Sequence, residues 1–137
     1  MLRRDAKVDL LKRAPLFAQC TKRELGSVAL VADEIDVREG RALTTEGDPG
    51  REFFVLIEGS ADVRRKGRKV NTMEAGDFFG EISLVANRPR TATVIATSPV
   101  RLLVVTDRAF RELMRKMPSI QSKVLAALAE RLPADAS

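Results

Sequence analysis

Regularly spaced glycines in the middle of the chain constrain its fold more than any other feature. Between residues 33 and 106, glycines at positions 40, 47, 59, 67, 76 and 80 fall between short stretches of β-branched, aliphatic and aromatic residues. Glycine at such spacing marks turns, and the stretches between have the length and composition of β-strands. The pattern predicts a sandwich or barrel of many short strands.

Several strands can be placed within this zone. Residues 53–57 form a continuous apolar run, as expected of a buried strand. Lys66 and Gly67 offer a two-residue turn, which predicts a β-hairpin between the flanking segments. The predicted strands include residues 53–57, 61–64, 68–73, 91–95 and 101–105.

The segments on either side of this zone show helical spacing. Thr21 and Glu24 fit a capping box that begins a helix, and Asp107 is predicted to cap another. The apolar positions of the last helix recur every four residues: Ile120, Val124, Leu128 and Leu132. We therefore expect one domain over residues 1–137, with a helical lead-in (1–32), a β-roll (33–106) and two closing helices (107–132).

Composition excludes several classes of chemistry. The 137 residues include no histidine and a single cysteine, Cys20, so a His- or Cys-built metal site and an internal disulfide cannot form. The commonest general base is absent as well. No apolar run has the length of a membrane span, and the N-terminus lacks the apolar stretch of a signal peptide. We expect a cytoplasmic protein that is not an enzyme and holds no metal or cofactor.

The net charge of +5 is spread over three basic stretches, at residues 3–13, 64–69 and 108–116. Such stretches can favour nucleic acid or an anionic membrane surface, but they more often form solvated surface. A basic surface also raises the local concentration of an anionic small ligand. We favour the solvated reading.

The segment 76–94 carries the most chemistry. Gly80 precedes a short apolar segment that can form one or two helical turns, whose first N–H groups can point at an anion. Arg90 follows nine residues after Glu81, and its guanidinium suits a phosphate through two parallel hydrogen bonds. The carboxylate of Glu81 can accept hydrogen bonds from sugar hydroxyls. Together these groups match the two polar ends of a nucleotide.

This segment resembles the phosphate-binding cassette of the cyclic-nucleotide-binding domain family, which includes catabolite activator proteins, cyclic-nucleotide-dependent kinases and cyclic-nucleotide-gated channels. The matching runs are Phe79-Gly80-Glu81-Ile82-Ser83-Leu84 and Pro89-Arg90-Thr91-Ala92-Thr93-Val94. The resemblance covers nearly the whole chain. It implies a mainly β fold: an eight-stranded antiparallel jelly roll (a double-stranded β-helix) with helices before it, two after it, and the cassette at residues 78–94.

The resemblance also implies roles for individual residues. Glu81 would bind the ribose 2′-hydroxyl, Arg90 would bind the cyclic phosphate, and Thr91 would lie beside the phosphate and the base. Backbone amides around Gly80 would complete the pocket. The expected binding residues are Phe79, Gly80, Glu81, Ile82, Ser83, Arg90, Thr91 and Ala92.

The base and the lid of the pocket are less constrained. In kinase-type members, a threonine directly after the arginine accompanies a preference for cGMP, and Thr91 fits that pattern. A hydroxyl there can equally bond the phosphate, and the composition suggests a microbial source, so cAMP is favoured over cGMP. Many members close the pocket with an aromatic side chain, but this chain has no Trp, no Tyr and no Phe beyond Phe110. Leu125 or Leu128 of the last helix would then form the lid.

We therefore predict a regulatory module in which cyclic-nucleotide occupancy moves the C-terminal helix, to be read by a second copy or by an output domain. One alternative is a ligand-free interaction module of the same fold. Another is a truncated fragment of a Crp-type DNA-binding transcription regulator; only five residues follow Leu132, so we expect no direct nucleic-acid contact from this chain. A cupin-type metalloenzyme would need histidines.

Overall fold

The computed structural model describes the backbone of residues 2–135 and the side chains of residues 2–130. Two four-stranded sheets face each other, with strand orders β1-β8-β3-β6 and β2-β7-β4-β5, and every pairing is antiparallel. This is the predicted jelly roll, built as two facing sheets that do not close into a barrel. The strands are β1 Asp33–Val37, β2 Ala42–Thr44, β3 Glu52–Glu58, β4 Ala61–Arg65, β5 Arg68–Met73, β6 Phe78–Phe79, β7 Thr93–Ala96 and β8 Val100–Thr106.

The predicted hairpin joins β4 to β5. Lys66 and Gly67 have φ angles of 51° and 77°, so both turn residues are in the left-handed region that a tight two-residue turn requires. One predicted strand begins later than expected: β7 starts at Thr93, and Arg90 lies before it. The backbone of Arg90 is bonded instead to Asp48 and Gly47, in the loop before β3, at 2.7 and 2.9 Å.

Four helices flank the sheets, α1 Arg4–Lys12, α2 Lys22–Leu30, α3 Asp107–Lys116 and α4 Pro118–Asp135, with 3₁₀ turns at Pro15–Phe17 and Glu81–Leu84. The capping box of Thr21 and Glu24 at the start of α2 is confirmed. The predicted cap of α3 was wrong by one residue. Thr106, in extended conformation, accepts from Ala109 N at 3.2 Å, whereas Asp107 lies in the first turn.

Strand β3 separates two apolar cores, which explains its continuous apolar sequence. Successive side chains of a strand point to opposite faces. Phe53 therefore packs among the helices, with Phe17 at 5.8 Å between ring centroids, while Phe54 packs between the two sheets. Ile120 and Val124 of α4 are buried in the helical core; the side chain of Leu132 lies outside the described residues.

Candidate functional site

A cavity of about 550 Å³ opens between the sheet that contains β4 and β7 and the turn at Glu81–Leu84. All eight residues that the sequence predicts as ligand contacts line it: Phe79, Gly80, Glu81, Ile82, Ser83, Arg90, Thr91 and Ala92. The cavity thus brings the predicted binding set together in one place, although the assignment of each residue to a part of a ligand stays a prediction.

The two predicted lid residues lie elsewhere in this structure. Leu125 is exposed and Leu128 packs against the helical core, and neither lines the cavity. Helix α4 is held on that side of the molecule by the ion pair of Lys123 with Glu24 and by a 3.2 Å hydrogen bond from Gln19 to Glu130. A lid formed by α4 would need these contacts to change, and the lid stays a prediction.

Gly80 lets the backbone approach Arg90 closely. Its φ of +80° lies in the left-handed region, and a Cβ atom there would be 2.4 Å from Arg90 Nη1 and 2.6 Å from Glu52 O. Both the conformation and the space therefore favour glycine. The residues after Gly80 form the short helical turn Glu81–Leu84 that the sequence predicts.

Arg90 is held beside the turn by several contacts. Its Nη1 donates to Ser83 Oγ at 3.0 Å and its Nη2 donates to Glu52 O at 2.7 Å. The side chain is only 9% exposed, and Cζ lies 5.7 Å from the ring centroid of Phe54. Burial lowers the pKa of the guanidinium, while the carboxylate of Glu52 acts in the opposite direction. An arginine stays protonated even so, and the cavity therefore carries a positioned, partly desolvated cation.

Two phenylalanine rings support that cation. Phe79 of β6 stacks on Phe54 of β3 with ring centroids 4.7 Å apart, and Phe54 in turn lies next to the Arg90 guanidinium. Stacked rings of this kind restrict each other's rotation and give a guanidinium a flat surface on which to pack. Phe79 lines the cavity and also belongs to this support, while Phe78 contacts Phe53 of the helical core.

Glu81 connects the cavity to the N-terminal part of the chain. Its side chain is 5% exposed, and Oε2 accepts a hydrogen bond from Leu16 N at 3.1 Å. Leu16 belongs to the 3₁₀ turn Pro15–Phe17, which contacts α4. No local sequence pattern predicts this bond, because the two residues lie 65 positions apart.

The structure adds two cationic cavity residues that the sequence-based set omits, Arg65 and Arg88. The sequence alone favours solvated surface for residues 64–69, and Arg65 is exposed in the structure although it also lines the cavity. The strand pattern contains a signal that separates the cavity residue from its neighbours: Ala61, Val63 and Arg65 alternate along β4 and so share a face. Val63 lines the cavity as Arg65 does.

The described part of the chain contains neither a metal-binding cluster nor a membrane-spanning helix. No group of three or more Asp, Glu and Cys side chains among these residues is arranged to hold a metal ion. None of the described helices is long and apolar enough to cross a membrane. A second cavity, of about 560 Å³, lies beside β1 and β2 and contains no cassette residue.

Comparison with known proteins agrees with this geometry. A family model described as "Cyclic nucleotide-binding domain" matches residues 34–117, more than half of the chain. The chain belongs to the cyclic nucleotide-binding domain family. The match includes β2 to β8, the cassette and α3 in full, and most of β1.

The domain is similar to part of a kinase regulatory subunit and to part of a kinase. It is 37% identical to a cAMP-dependent protein kinase regulatory subunit of Mycosarcoma maydis over 86% of this chain and 24% of that protein. It is 33% identical to a cGMP-dependent protein kinase of Toxoplasma gondii over 81% of this chain and 11% of that protein. The chain thus spans a quarter or less of these two curated relatives.

Solved structures share the fold. The N-terminal domain of a transcriptional regulator from Streptomyces coelicolor A3(2) superposes with a TM-score of 0.83 at 30% identity, covering 93% of this chain and 94% of that one. A cAMP-bound structure named PfPKA-R superposes with a TM-score of 0.68 at 27% identity, covering 92% of this chain and 47% of that one.

Proposed function

We propose that this cyclic nucleotide-binding domain is a sensor that binds the cyclic phosphate at Arg90 and the ribose at Glu81. The observation that carries the proposal is the buried guanidinium of Arg90 on the wall of a 550 Å³ cavity, 3.0 Å from Ser83 Oγ and against the left-handed backbone of Gly80. The guanidinium and the Ser83 hydroxyl are hydrogen-bond donors of the kind that suit a singly charged phosphate diester.

The electrostatics of Arg90 favour an anionic ligand. Burial removes water from the guanidinium, and the carboxylate of Glu52, which is half-exposed, has its Oε1 3.9 Å from Nη2. That distance allows only a weak ion pair. A phosphate that accepts two hydrogen bonds from the guanidinium would supply a stronger partner.

We propose that occupancy reaches α4 through the cassette. Glu81 is bonded to Leu16, and the turn Pro15–Phe17 contacts α4. A ligand that draws on the Glu81 carboxylate therefore acts on the same contacts that seat the C-terminal helix. It shifts α4 only to the extent that it binds one position of the helix more tightly than the other. The reader of this movement would be a second copy or an output domain, as the partial coverage of longer relatives suggests.

The base preference, the location and the lack of catalysis are parts of the same proposal. The sequence favours cAMP, and similarity extends to both a cAMP-dependent regulatory subunit and a cGMP-dependent kinase. A cytoplasmic location and a non-enzymatic role stay predictions. Burial raises the pKa of the Cys20 thiol to about 11, so this cysteine is protonated at neutral pH and a poor nucleophile.

The test is calorimetric titration of the full chain with cAMP and with cGMP, repeated on Arg90→Ala. Loss of a buried charge-assisted contact costs about 2–4 kcal/mol, so the affinity of the variant should fall roughly 30- to 1,000-fold. Arg101→Ala is the matched control, because Arg101 pairs with Asp36 and Glu58 on the surface and does not line the cavity.

The variant and the control separate the outcomes. Circular dichroism must show that Arg90→Ala retains its fold. Binding by the wild type and by Arg101→Ala, with loss in Arg90→Ala, supports the proposal. Equal binding by all three proteins, or no binding by a folded wild type, overturns it.

A further inference from the structure

The loop between β2 and β3 is bonded to the backbone around Arg90. Arg90 N donates to Asp48 O at 2.7 Å, and Gly47 N donates to Arg90 O at 2.9 Å. Further along the same loop, Gly50 N donates to Arg88 O at 3.2 Å. Both main-chain polar groups of Arg90 are therefore bonded to this loop, which fixes the backbone from which the guanidinium projects.

Gly50 brings the loop against side chains of the cassette. It is buried, and a Cβ atom there would lie 2.7 Å from Ser83 Oγ, 3.1 Å from Arg90 Nε and 3.2 Å from Arg88 O. Non-bonded heavy atoms are at their optimal separation at about 3.5–4.0 Å. An alanine at this position therefore fits only if one of its neighbours moves.

The backbone conformation of Gly50 does not itself demand glycine. Its φ lies outside the left-handed region, in contrast to the φ of +89° at Gly47 in the same loop. Glycine also loses more conformational freedom on folding than any other residue, so it carries a cost wherever an alanine would serve. Space beside the cassette is what excludes a side chain at this position.

The Ser83 hydroxyl is the neighbour that can move most readily. Arg88 O belongs to the backbone, and Arg90 Nη2 is held by its 2.7 Å bond to Glu52 O. Rotation of Ser83 to another staggered χ1 would take its Oγ away from a new Cβ atom. The same rotation would break the 3.0 Å bond from Arg90 Nη1 to Ser83 Oγ. A side chain at position 50 therefore acts on the bond that orients the guanidinium.

We infer that Gly50 is a positioning residue for the phosphate-binding site. Its lack of a side chain leaves the space in which Ser83 and Arg90 are hydrogen-bonded, and this bond directs the guanidinium N–H groups. The inference rests on the proposed function, in which Arg90 binds the cyclic phosphate. That phosphate is common to cAMP and cGMP, so Gly50 affects the affinity for both and takes no part in selecting the base.

Calorimetric titration of glycine variants with both nucleotides tests this role. Gly50→Ala should bind cAMP and cGMP about 10- to 150-fold more weakly than the wild type, by the same factor for each, because a charge-assisted hydrogen bond loses its alignment. Gly26→Ala is the matched control. Gly26 is also buried without a positive φ, but the atoms nearest to its Cβ would belong to the guanidinium of the exposed Arg4. This control should retain wild-type affinity.

Removal of the clashing oxygen separates positioning from a general structural effect. Ser83→Ala alone loses the bond to Arg90 and should bind more weakly than the wild type. Adding Gly50→Ala to Ser83→Ala should lower the affinity little further, because the oxygen nearest to the new Cβ is gone; coupling of this kind is what a double-mutant cycle measures. ¹⁵N NMR should show a shifted Arg90 Nε–H signal in Gly50→Ala and an unshifted one in Gly26→Ala.

Each result decides the role of Gly50. Weaker binding by Gly50→Ala that largely disappears in the Ser83→Ala background supports the inference. So does a Gly50→Ala chain that unfolds while the double variant folds. The same loss in both backgrounds, a loss for one nucleotide only, wild-type affinity in a folded Gly50→Ala, or unfolding of the double variant overturns the role of Gly50 alone. A folded wild type that binds neither nucleotide overturns the proposed function and, with it, this inference.

Discussion

The carboxylate of Glu81 accepts a hydrogen bond, at 3.1 Å, from the backbone N–H of Leu16, which precedes it by 65 residues. One oxygen of the side chain proposed to bind the ribose therefore also holds the N-terminal 3₁₀ turn. A carboxylate offers about four acceptor positions, so both roles fit one group. A change in the hydrogen bonding of Glu81 therefore alters a contact of the turn Pro15–Phe17, and this turn contacts α4.

Replacing Glu81 separates these two roles. Glu81→Gln retains one acceptor but loses the charge, so affinity for the cyclic nucleotide should fall roughly 10- to 150-fold. The 2′-deoxy ligand should bind the wild type and this variant almost equally. Glu81→Ala also leaves the buried Leu16 N–H without its acceptor, which should lower the free energy of unfolding by about 1–3 kcal/mol relative to Glu81→Gln.

Calorimetry with the two ligands and urea unfolding followed by circular dichroism measure these effects. If the 2′-deoxy ligand binds the wild type as tightly as its parent, Glu81 does not bind the ribose.

The ion pair between Glu24 and Lys123 makes the free energy of unfolding depend on pH. The hydrogen bond from Lys123 is the main cause that lowers the pKa of Glu24 to about 2, with a further contribution from the Thr21 backbone. A carboxyl whose pKa is lower in the folded state stabilises the fold at pH values above its ordinary pKa. That contribution is lost as pH falls through about 2. Urea unfolding at pH 7, 4 and 2.5 should show a smaller acid-induced loss for Glu24→Gln than for the wild type.

Glu112→Gln provides the comparison, since Glu112 pairs with Arg115 on the exposed surface of α3. Loss of this surface ion pair should change the free energy of unfolding by about 0–1 kcal/mol. The same acid sensitivity in wild type and Glu24→Gln would contradict the assignment.

Gly80 and Gly67 allow the effect of a positive φ to be distinguished from the effect of a steric clash. Both have positive φ, +80° and +77°, but a Cβ at Gly67 would meet nothing within 4 Å, whereas at Gly80 it would clash with Arg90 and Glu52. Gly67→Ala should lower the free energy of unfolding by about 1–2 kcal/mol. Gly80→Ala should lower it more, and should also weaken ligand binding because Arg90 must shift. Similar losses in the two variants, or normal binding by a folded Gly80→Ala, would show that close packing at Gly80 is unimportant.

The lid prediction has its own test at Leu125. This side chain is 53% exposed, so Leu125→Ala should leave the stability of the free protein within about 0.5 kcal/mol of the wild type. If α4 closes over the base, the variant should lose affinity on the order of 10-fold, because the leucine is then buried against the ligand. Leu30→Ala is the control, since Leu30 is also an exposed leucine and does not line the cavity. Unchanged affinity in Leu125→Ala would exclude this residue as the lid.

The sequence predicted features that depend on short-range patterns. The capping box at Thr21, the turn at Lys66 and Gly67, and the gathering of the eight cassette residues around one cavity all follow from local spacing or from a single continuous segment. The predicted cap of α3, Asp107, was one residue too late, because Thr106 has the extended conformation of a cap residue. Both residue types are good caps, so the sequence does not reveal which of the two takes that conformation.

Features that depend on contacts between distant segments could not be predicted in the same way. The bond between Glu81 and Leu16 arises because the fold brings the N-terminal turn to the back of the cassette. The facing of Arg65 into the cavity depends on the register between β4 and β7. Alternation along β4 places Arg65 on the same face as Ala61 and Val63, but only the fold shows that this face lines the cavity.

The most direct test of the central claim is a ¹H–¹⁵N NMR titration of the wild-type chain with cAMP and, separately, with cGMP. Binding in the cassette predicts that the largest shifts occur at the amides of Gly80, Glu81, Ile82 and Ser83 and at the Arg90 guanidinium N–H. Residues of the second cavity, such as Val37 and Ala42, should be little changed. Shifts centred on that second cavity, or a spectrum that neither ligand alters, would contradict the assignment of this site to a cyclic nucleotide.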